Sequence, residues 1–172
     1  TVVTGNFATK GGALWGSGTT ITCSGTTALT DNEVSSGGGG AYLQQGGELR
    51  DCVLTDNIAL ERGGGLQLHT ASAIGVELYG NSAPNGGGVH LLDGHLTDAI
   101  VPTNRPDYGG GVYLTDASTG ACTLTTTSVS SNHATTSGGG VYAGSAFDIS
   151  GTIDANVSDI RGGGIYATGV DG

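Results

Sequence analysis

Apolar and polar positions follow one pattern that returns seven times along the chain. In each repeat an aliphatic residue stands three places before an asparagine, and a glycine run and another apolar segment follow. The aliphatic residues are Val3, Leu29, Leu54, Leu78, Val101, Val129 and Ile153. Glycine runs disfavour helix strongly. The repeat therefore predicts short strands joined by tight turns.

The segment after each glycine run alternates with period two. Its first and third positions are apolar in every repeat: Ala13 and Trp15, Ala41 and Leu43, Leu66 and Leu68, Val89 and Leu91, Val112 and Leu114, Val141 and Ala143, and Ile165 and Ala167. Its second position is Leu14, Tyr42, Gln67, His90, Tyr113, Tyr142 or Tyr166. Such alternation is typical of a strand with one buried face. We predict that the first and third positions point inward and the second outward.

The asparagines give the period of the repeat. They are Asn6, Asn32, Asn57, Asn81, Asn104, Asn132 and Asn156. A period in the twenties is typical of a solenoid, whereas helical solenoids need about 33 residues or more per unit. We predict an all-β fold, a single-stranded parallel β-helix of about seven coils of about 25 residues. It forms one domain over residues 1–172.

Stacked coils explain why these positions repeat. An asparagine at the same corner of every coil can bond to its neighbours above and below, which satisfies a buried bend. Glycines at another corner allow positive φ and close approach of successive backbones. We predict a structural asparagine ladder from Asn6 to Asn156 and assign no chemistry to it.

Two cysteines occupy equivalent places in adjacent coils. Cys23 and Cys52 follow their glycine runs by nearly the same number of residues. Stacked strands lie about 4.8 Å apart, within the range of about 4.4–6.8 Å that a disulfide accepts. We predict a Cys23–Cys52 disulfide; the alternative is a pair of stacked, buried thiols. Cys122 belongs three coils further on and is expected to be unpaired within the chain, either buried or bonded to another chain.

The outward second position predicts an exposed aromatic stripe of Tyr42, Tyr113, Tyr142 and Tyr166. Exposed aromatic side chains can contact a glycan or a protein. The alternative is that these tyrosines only cover the sheet and stabilise it through cross-strand stacking. Both interpretations stay open.

Composition narrows the classes of partner. The 172 residues include 35 glycines and 15 acidic but only five basic residues, for a net charge of −10. Nucleic acid is not an expected partner, because phosphate binding needs clustered lysine and arginine. No apolar run approaches the roughly 20 residues of a membrane helix, so no membrane insertion of this segment is expected. Aromatic residues make up 5% of the chain, which favours a narrow aliphatic core.

Catalytic and metal-binding patterns are weak. Asp93 with His95, and Asp107 near Arg105, are the best carboxylate–base pairs, but no column of equivalent positions gathers three such groups. The glycine-rich phrase of calcium-binding β-helices is not repeated, since aliphatic residues follow the glycines. We assign no catalytic residue, no metal site and no cofactor.

The aliphatic-x-x-Asn phrase and the segments Gly11-Gly12-Ala13-Leu14 and Gly39-Gly40-Ala41-Tyr42 resemble the repeats of chlamydial polymorphic membrane proteins. These belong to a wider set of surface-exposed adhesin and autotransporter-like β-helices. The phenylalanine that this family places before asparagine is replaced here by valine, leucine or isoleucine. The resemblance implies a right-handed solenoid located outside the cell or on its surface, and adhesion.

The hypothesis is therefore an extracellular, non-enzymatic structural or adhesive β-helix in a filament or cell-surface layer. The first and last residues form no recognisable cap, so we expect a segment of a longer solenoid, or a subunit that associates head to tail or laterally. The alternative is a polysaccharide-binding or polysaccharide-cleaving β-helix, similar to pectate lyases, with a glycan or other cell-surface ligand. Asn156-Val157-Ser158 is a glycosylation sequon whose use stays open.

Overall fold

A computed structural model describes residues 1–25, 27–115 and 121–169 of the chain. These residues form an all-β solenoid in which parallel strands stack over about six turns. The predicted parallel β-helix is confirmed, and the seven repeats enclose six turns because one turn separates each repeat from the next. The described part of the chain includes no helix with the length and apolar character needed to cross a membrane.

The strand after each glycine run belongs to a seven-stranded parallel sheet, here called sheet 1. Its strands, in stacking order, are Leu14–Ser17, Ala41–Gln44, Leu66–His69, Val89–Leu92, Val112–Leu114, Val141–Ala143 and Ile165–Ala167. Successive strands pair in register, so that Leu66 lies between Ala41 and Val89. Equivalent positions therefore form continuous columns along the solenoid, and these columns face inward and outward alternately.

Two further columns of strands close each turn. The first contains Thr20–Thr22, Glu48–Arg50, Ser72–Ile74 and His95–Thr97, and the second contains Val2–Thr4, Ala28–Thr30, Val53–Thr55, Glu77–Tyr79 and Ile100–Pro102. The longer strands Cys122–Ser130 and Phe147–Asp154 run through both columns. They unite the two columns in one 11-stranded sheet.

Short strands follow the asparagines. Phe7–Lys10, Glu33–Gly37 and Ile58–Ala59 form a three-stranded sheet, and His133–Ala134 pairs with Val157–Ser158. Small side chains here make a separate apolar cluster of Val34, Ala59 and Ala83, against which Ala8 packs. These compact residues let the chain turn sharply between the ladder and the glycine run.

Inward-facing aliphatic residues fill the solenoid from end to end. Leu43, Leu66, Leu68 and Leu91 from sheet 1 are fully buried and pack with residues such as Leu54 from the opposite side. Leucine supplies most of the largest fully buried side chains. This agrees with an interior of aliphatic residues and few aromatic ones.

The first strand of sheet 1 differs from the prediction by one residue. Leu14 pairs with Ala41 and Trp15 pairs with Tyr42, so Trp15 points outward, with 55% of its surface exposed. Ala13 takes the place of the third glycine in the other runs, since the N–H groups of Ala13 and Leu14 both donate to the Gly40 carbonyl. The prediction that Ala13 and Trp15 point inward and Leu14 outward is therefore wrong.

Candidate functional site

The asparagine ladder is continuous and uses its amide groups fully. Asn57 Oδ1 accepts hydrogen bonds of 3.0 Å from the backbone N–H and from Nδ2 of Asn32. Asn57 Nδ2 in turn donates to the Leu29 carbonyl at 2.8 Å and to Asn81 Oδ1 at 3.0 Å. Equivalent bonds link the remaining members from Asn6 to Asn156. The interior of the ladder is therefore a structural element whose amides are taken up by hydrogen bonds between turns.

Asn156, the residue of the glycosylation sequon, belongs to this ladder. Its Nδ2 donates to the Val129 carbonyl at 2.8 Å, and its Oδ1 accepts from Asn132. The nitrogen that would carry a glycan is thus engaged in the folded chain.

Cys23 and Cys52 form a disulfide between successive turns, with their Cα atoms 5.0 Å apart. Cys52 is buried and Cys23 is half-buried. Cys122 is a free, fully buried thiol, and burial raises its pKa. Its side chain is not presented to a second chain on the surface of this structure.

The outward column of sheet 1, here called the aromatic column, contains Trp15, Tyr42, Gln67, His90, Tyr113, Tyr142 and Tyr166. Its rings from His90 to Tyr166 contact one another along the solenoid. The centroids of Tyr113 and Tyr142 are 4.8 Å apart with planes inclined by 20°, and Tyr142 and Tyr166 are 5.3 Å apart. Because neighbouring rings occupy these faces, the phenol edges and hydroxyls remain for contact with a ligand.

A second column lies beside the first. It consists of the residues just before the glycine turns, here called the basic column: Lys10, Gly37, Arg62, Asn85, Tyr108, Ser137 and Arg161. Three of the five basic residues of the chain belong to it. The sequence analysis did not identify this column, although the position directly before each glycine turn would have revealed it.

Side chains of the basic column pack against the aromatic column. Lys10 Nζ lies 4.8 Å from the centre of the Tyr42 ring. Tyr108 meets Tyr142 edge to face at 5.6 Å. Arg161 Nη1 donates to the hydroxyl of Tyr166 at 3.3 Å. The two columns thus bring phenols and cations together towards both ends of the solenoid.

The glycine turn makes this proximity possible. Gly86 has a φ of 68°, in the left-handed region, and a Cβ built on it would lie 3.0 Å from Tyr113 Cβ. A side chain there would clash with the Val89 carbonyl oxygen of its own turn as well as with Tyr113 of the next turn. Glycine at this corner is therefore required by backbone conformation and by space.

Exposure of the aromatic stripe is lower than predicted. Tyr42 is only 3% exposed because Lys10 lies over its ring, so the prediction of an exposed position is wrong for Tyr42. Tyr113, Tyr142 and Tyr166 are half-buried by their mutual stacking. Burial, with the neighbouring phenols, raises the pKa values of Tyr113 and Tyr142, which keeps both hydroxyls protonated as donors at neutral pH.

His90 is the most unusual member of the aromatic column, because its side chain is fully buried. Its Nε2 lies 2.8 Å from Thr115 Oγ1, while its Nδ1 is buried without a hydrogen-bond partner. Burial lowers the pKa of His90 to about 3, and the charges of Arg62 and His69 act in the same direction. His90 is therefore neutral at physiological pH.

The two carboxylate–base pairs line separate cavities. Asp93 and His95 lie in the wall of one cavity with Thr70 and Ser72, and His95 Nδ1 is 2.9 Å from Thr123 Oγ1. Arg105 and Asp107 line the other cavity with His133. Asp107 Oδ1 accepts from Thr135 Oγ1 at 2.7 Å, and His133 Nε2 lies 2.6 Å from Asp159 Oδ1. These contacts hold Asp107 and His133 to hydroxyl and carboxylate partners and give no catalytic arrangement that we can assign.

Within residues 1–25, 27–115 and 121–169, no three His, Cys, Asp or Glu side chains come together as a set that could hold a metal ion. No family model, no curated protein and no solved structure matches the chain. The likeness to chlamydial surface repeats therefore stays a sequence-based expectation, and the fold itself is a parallel β-solenoid.

Proposed function

We propose that this β-solenoid works outside the cell, or on its surface, as a non-enzymatic structural or adhesive element of a filament or cell-surface layer. The observation that carries the proposal is the Cys23–Cys52 disulfide between successive turns. Disulfides form and persist mainly in oxidising compartments, which include the secretory pathway, the periplasm and the cell exterior. A structural cross-link of this kind is typical of a secreted protein.

The regular stacking supports a mechanical role. Six steps of about 4.8 Å give a rod about 29 Å long, and the ladder and the aliphatic core bind each turn to the next. In a solenoid each turn contacts only its neighbours, so length can increase without a new core. The likeness of the repeats to those of surface adhesins favours the adhesive form of the proposal.

Polysaccharide binding is the second candidate, because the paired aromatic and basic columns concentrate cations on an acidic chain. It is compatible with adhesion, since a surface solenoid can adhere through a glycan. We do not propose cleavage, because no observed arrangement of described side chains favours it.

Immunogold electron microscopy with antibodies against residues 1–172 tests the location. Label is expected on intact cells, and the surrounding density distinguishes fibres or layers from isolated particles. Label that appears only after permeabilisation would contradict the proposal. Alkylation of the denatured, unreduced native protein is expected to modify a single cysteine, Cys122, whereas modification of all three would show that the disulfide does not form in the cell.

A further inference from the structure

The basic residues are distributed unevenly over an acidic molecule. Lys10, Arg62 and Arg161 belong to the basic column, while Arg50 and Arg105 lie elsewhere. We propose that the surface formed by the aromatic and basic columns binds an acidic polysaccharide that lies along the solenoid axis. This inference rests on the proposed adhesive function and names the chemical class of its partner.

The three cations of the column are available to an external anion. Arg50 is paired with Glu48, but within the described residues no carboxylate forms a salt bridge with Lys10, Arg62 or Arg161. All three side chains are exposed. Unpaired cations on a chain with 15 acidic residues provide a local site of opposite sign to the whole molecule.

Their spacing indicates a polymer rather than a small molecule. Arg62 lies two turns from Lys10 and four turns from Arg161 along the column. At about 4.8 Å per turn these steps are about 10 Å and about 19 Å. A ligand that reaches all three must be extended over nearly the whole rod and must carry carboxylates at intervals, as a chain of uronic acids does.

The phenols supply contacts between Arg62 and Arg161. The stacked rings of Tyr113, Tyr142 and Tyr166 hold their hydroxyls in fixed positions, so little side-chain freedom is lost on binding. Protonated phenols donate hydrogen bonds to carboxylates and accept them from sugar hydroxyls. Arginine adds paired donors that match the geometry of a carboxylate. The surface thus complements a polymer that alternates charged and hydroxyl groups.

A polyanion of higher charge density fits less well. Duplex DNA has one negative charge per roughly 1.7 Å of axis, far closer than the spacing of these cations. The net charge of −10 repels any polyanion, and it repels most strongly the ligand with the highest charge density. A polysaccharide with one carboxylate per sugar is therefore favoured over nucleic acid.

Isothermal titration calorimetry at low and physiological salt tests the proposal with polygalacturonate, its neutral methyl ester and duplex DNA. We expect measurable binding of polygalacturonate, at least about tenfold weaker binding of the ester and of DNA, and weaker binding of a trimer than of long chains. The variant Arg62→Gln/Arg161→Gln should lose about tenfold or more in affinity. The control Arg50→Gln/Arg105→Gln makes the same change in net charge and should change affinity less than twofold.

Circular dichroism of each variant establishes that it folds before it is titrated. Equal losses in the two double variants would overturn the proposal, because general electrostatics would then explain the binding. Failure of the unmodified protein to bind polygalacturonate, or tighter binding of DNA, would overturn it too. If binding fails while label remains on intact cells, only the glycan inference is lost. If the label lies inside the cell, the proposed function is lost whatever the protein binds in solution.

Discussion

The stability of this solenoid should depend on pH through one buried side chain, His90. In the folded chain the imidazole is fully buried, and its pKa is lowered to about 3, chiefly by burial, with added repulsion from Arg62 and His69. In the unfolded chain the pKa of histidine returns to its ordinary value of about 6.5. The folded state therefore takes up this proton much less readily than the unfolded state.

The sign of the effect follows from proton uptake. Well above pH 6.5 both states hold His90 neutral, so its contribution to stability is fully present. As the pH falls from 6.5 towards 3, only the unfolded state gains the proton, and the free energy of unfolding decreases. With these two pKa values the loss is about 2 kcal/mol at pH 5 and about 4 kcal/mol at pH 3.

The variant His90→Gln isolates this effect. Glutamine already occupies the neighbouring place in the aromatic column at Gln67, so the side chain suits the site, and its amide can bond to Thr115. Urea denaturation of both proteins is measured at pH 8 and pH 5. The acidic residues titrate in both proteins, so their contribution cancels in the comparison.

Between pH 8 and pH 5, the unmodified protein should lose about 2 kcal/mol more stability than His90→Gln. An NMR titration should show no protonation of His90 above pH 5. If the two proteins lose the same stability, or if the His90 resonances titrate near pH 6.5, then the imidazole is hydrated and the argument from burial fails.

Three further predictions concern the elements that join the turns. Reduction of the Cys23–Cys52 disulfide should lower the free energy of unfolding by about 3 kcal/mol, measured by urea denaturation with and without reductant; an unchanged midpoint would contradict this. Asn81→Ala leaves buried backbone groups unpaired and should lower the free energy of unfolding by about 3 kcal/mol. Asn6→Ala, at the exposed end of the ladder, should lower it by about 1 kcal/mol or less, and equal losses would refute the role of burial. Gly86→Ala should lower the free energy of unfolding by about 3 kcal/mol, because the residue has a positive φ and its Cβ would press on the aromatic column. An unchanged thermal unfolding temperature would show that the turn can adapt.

The sequence was most informative where a position repeats in every turn. The ladder follows from the spacing of Asn57 and its equivalents, because stacking places like residues directly above one another. The disulfide follows less directly: Thr22 pairs with Arg50 and Ala28 with Val53, so the bond from Cys23 to Cys52 runs diagonally between the two turns, with a Cα separation of 5.0 Å. Both features depend on the backbone path, which the period determines.

Features that depend on a single turn could not be predicted in this way. Ala13 occupies the place of a glycine, and since alanine also fits the start of a strand, the register of Trp15 was misjudged by one residue. Tyr42 is buried by Lys10, which comes from the preceding turn on the other side of a glycine corner. Because a single long side chain covers the ring in one turn only, the repeat pattern of the sequence does not reveal it. The basic column did leave a signal, but its cations occur in only some turns, which hides it among unrelated residues.

On the proposed binding surface, the division between inner and outer columns would let ligand preference change without loss of the fold. Asn57 hydrogen-bonds to the turns on both sides, and the core leucines pack within one apolar cluster. A substitution at either place therefore disturbs the neighbouring turns as well. A residue such as Arg62 contributes little to stacking, and its exchange alters surface charge at one level of the rod. Because each turn contacts only its neighbours, the charges of the basic column can vary independently of the ladder. Ligand preference should therefore change through the residue before each glycine turn, while the asparagine and the glycines stay fixed.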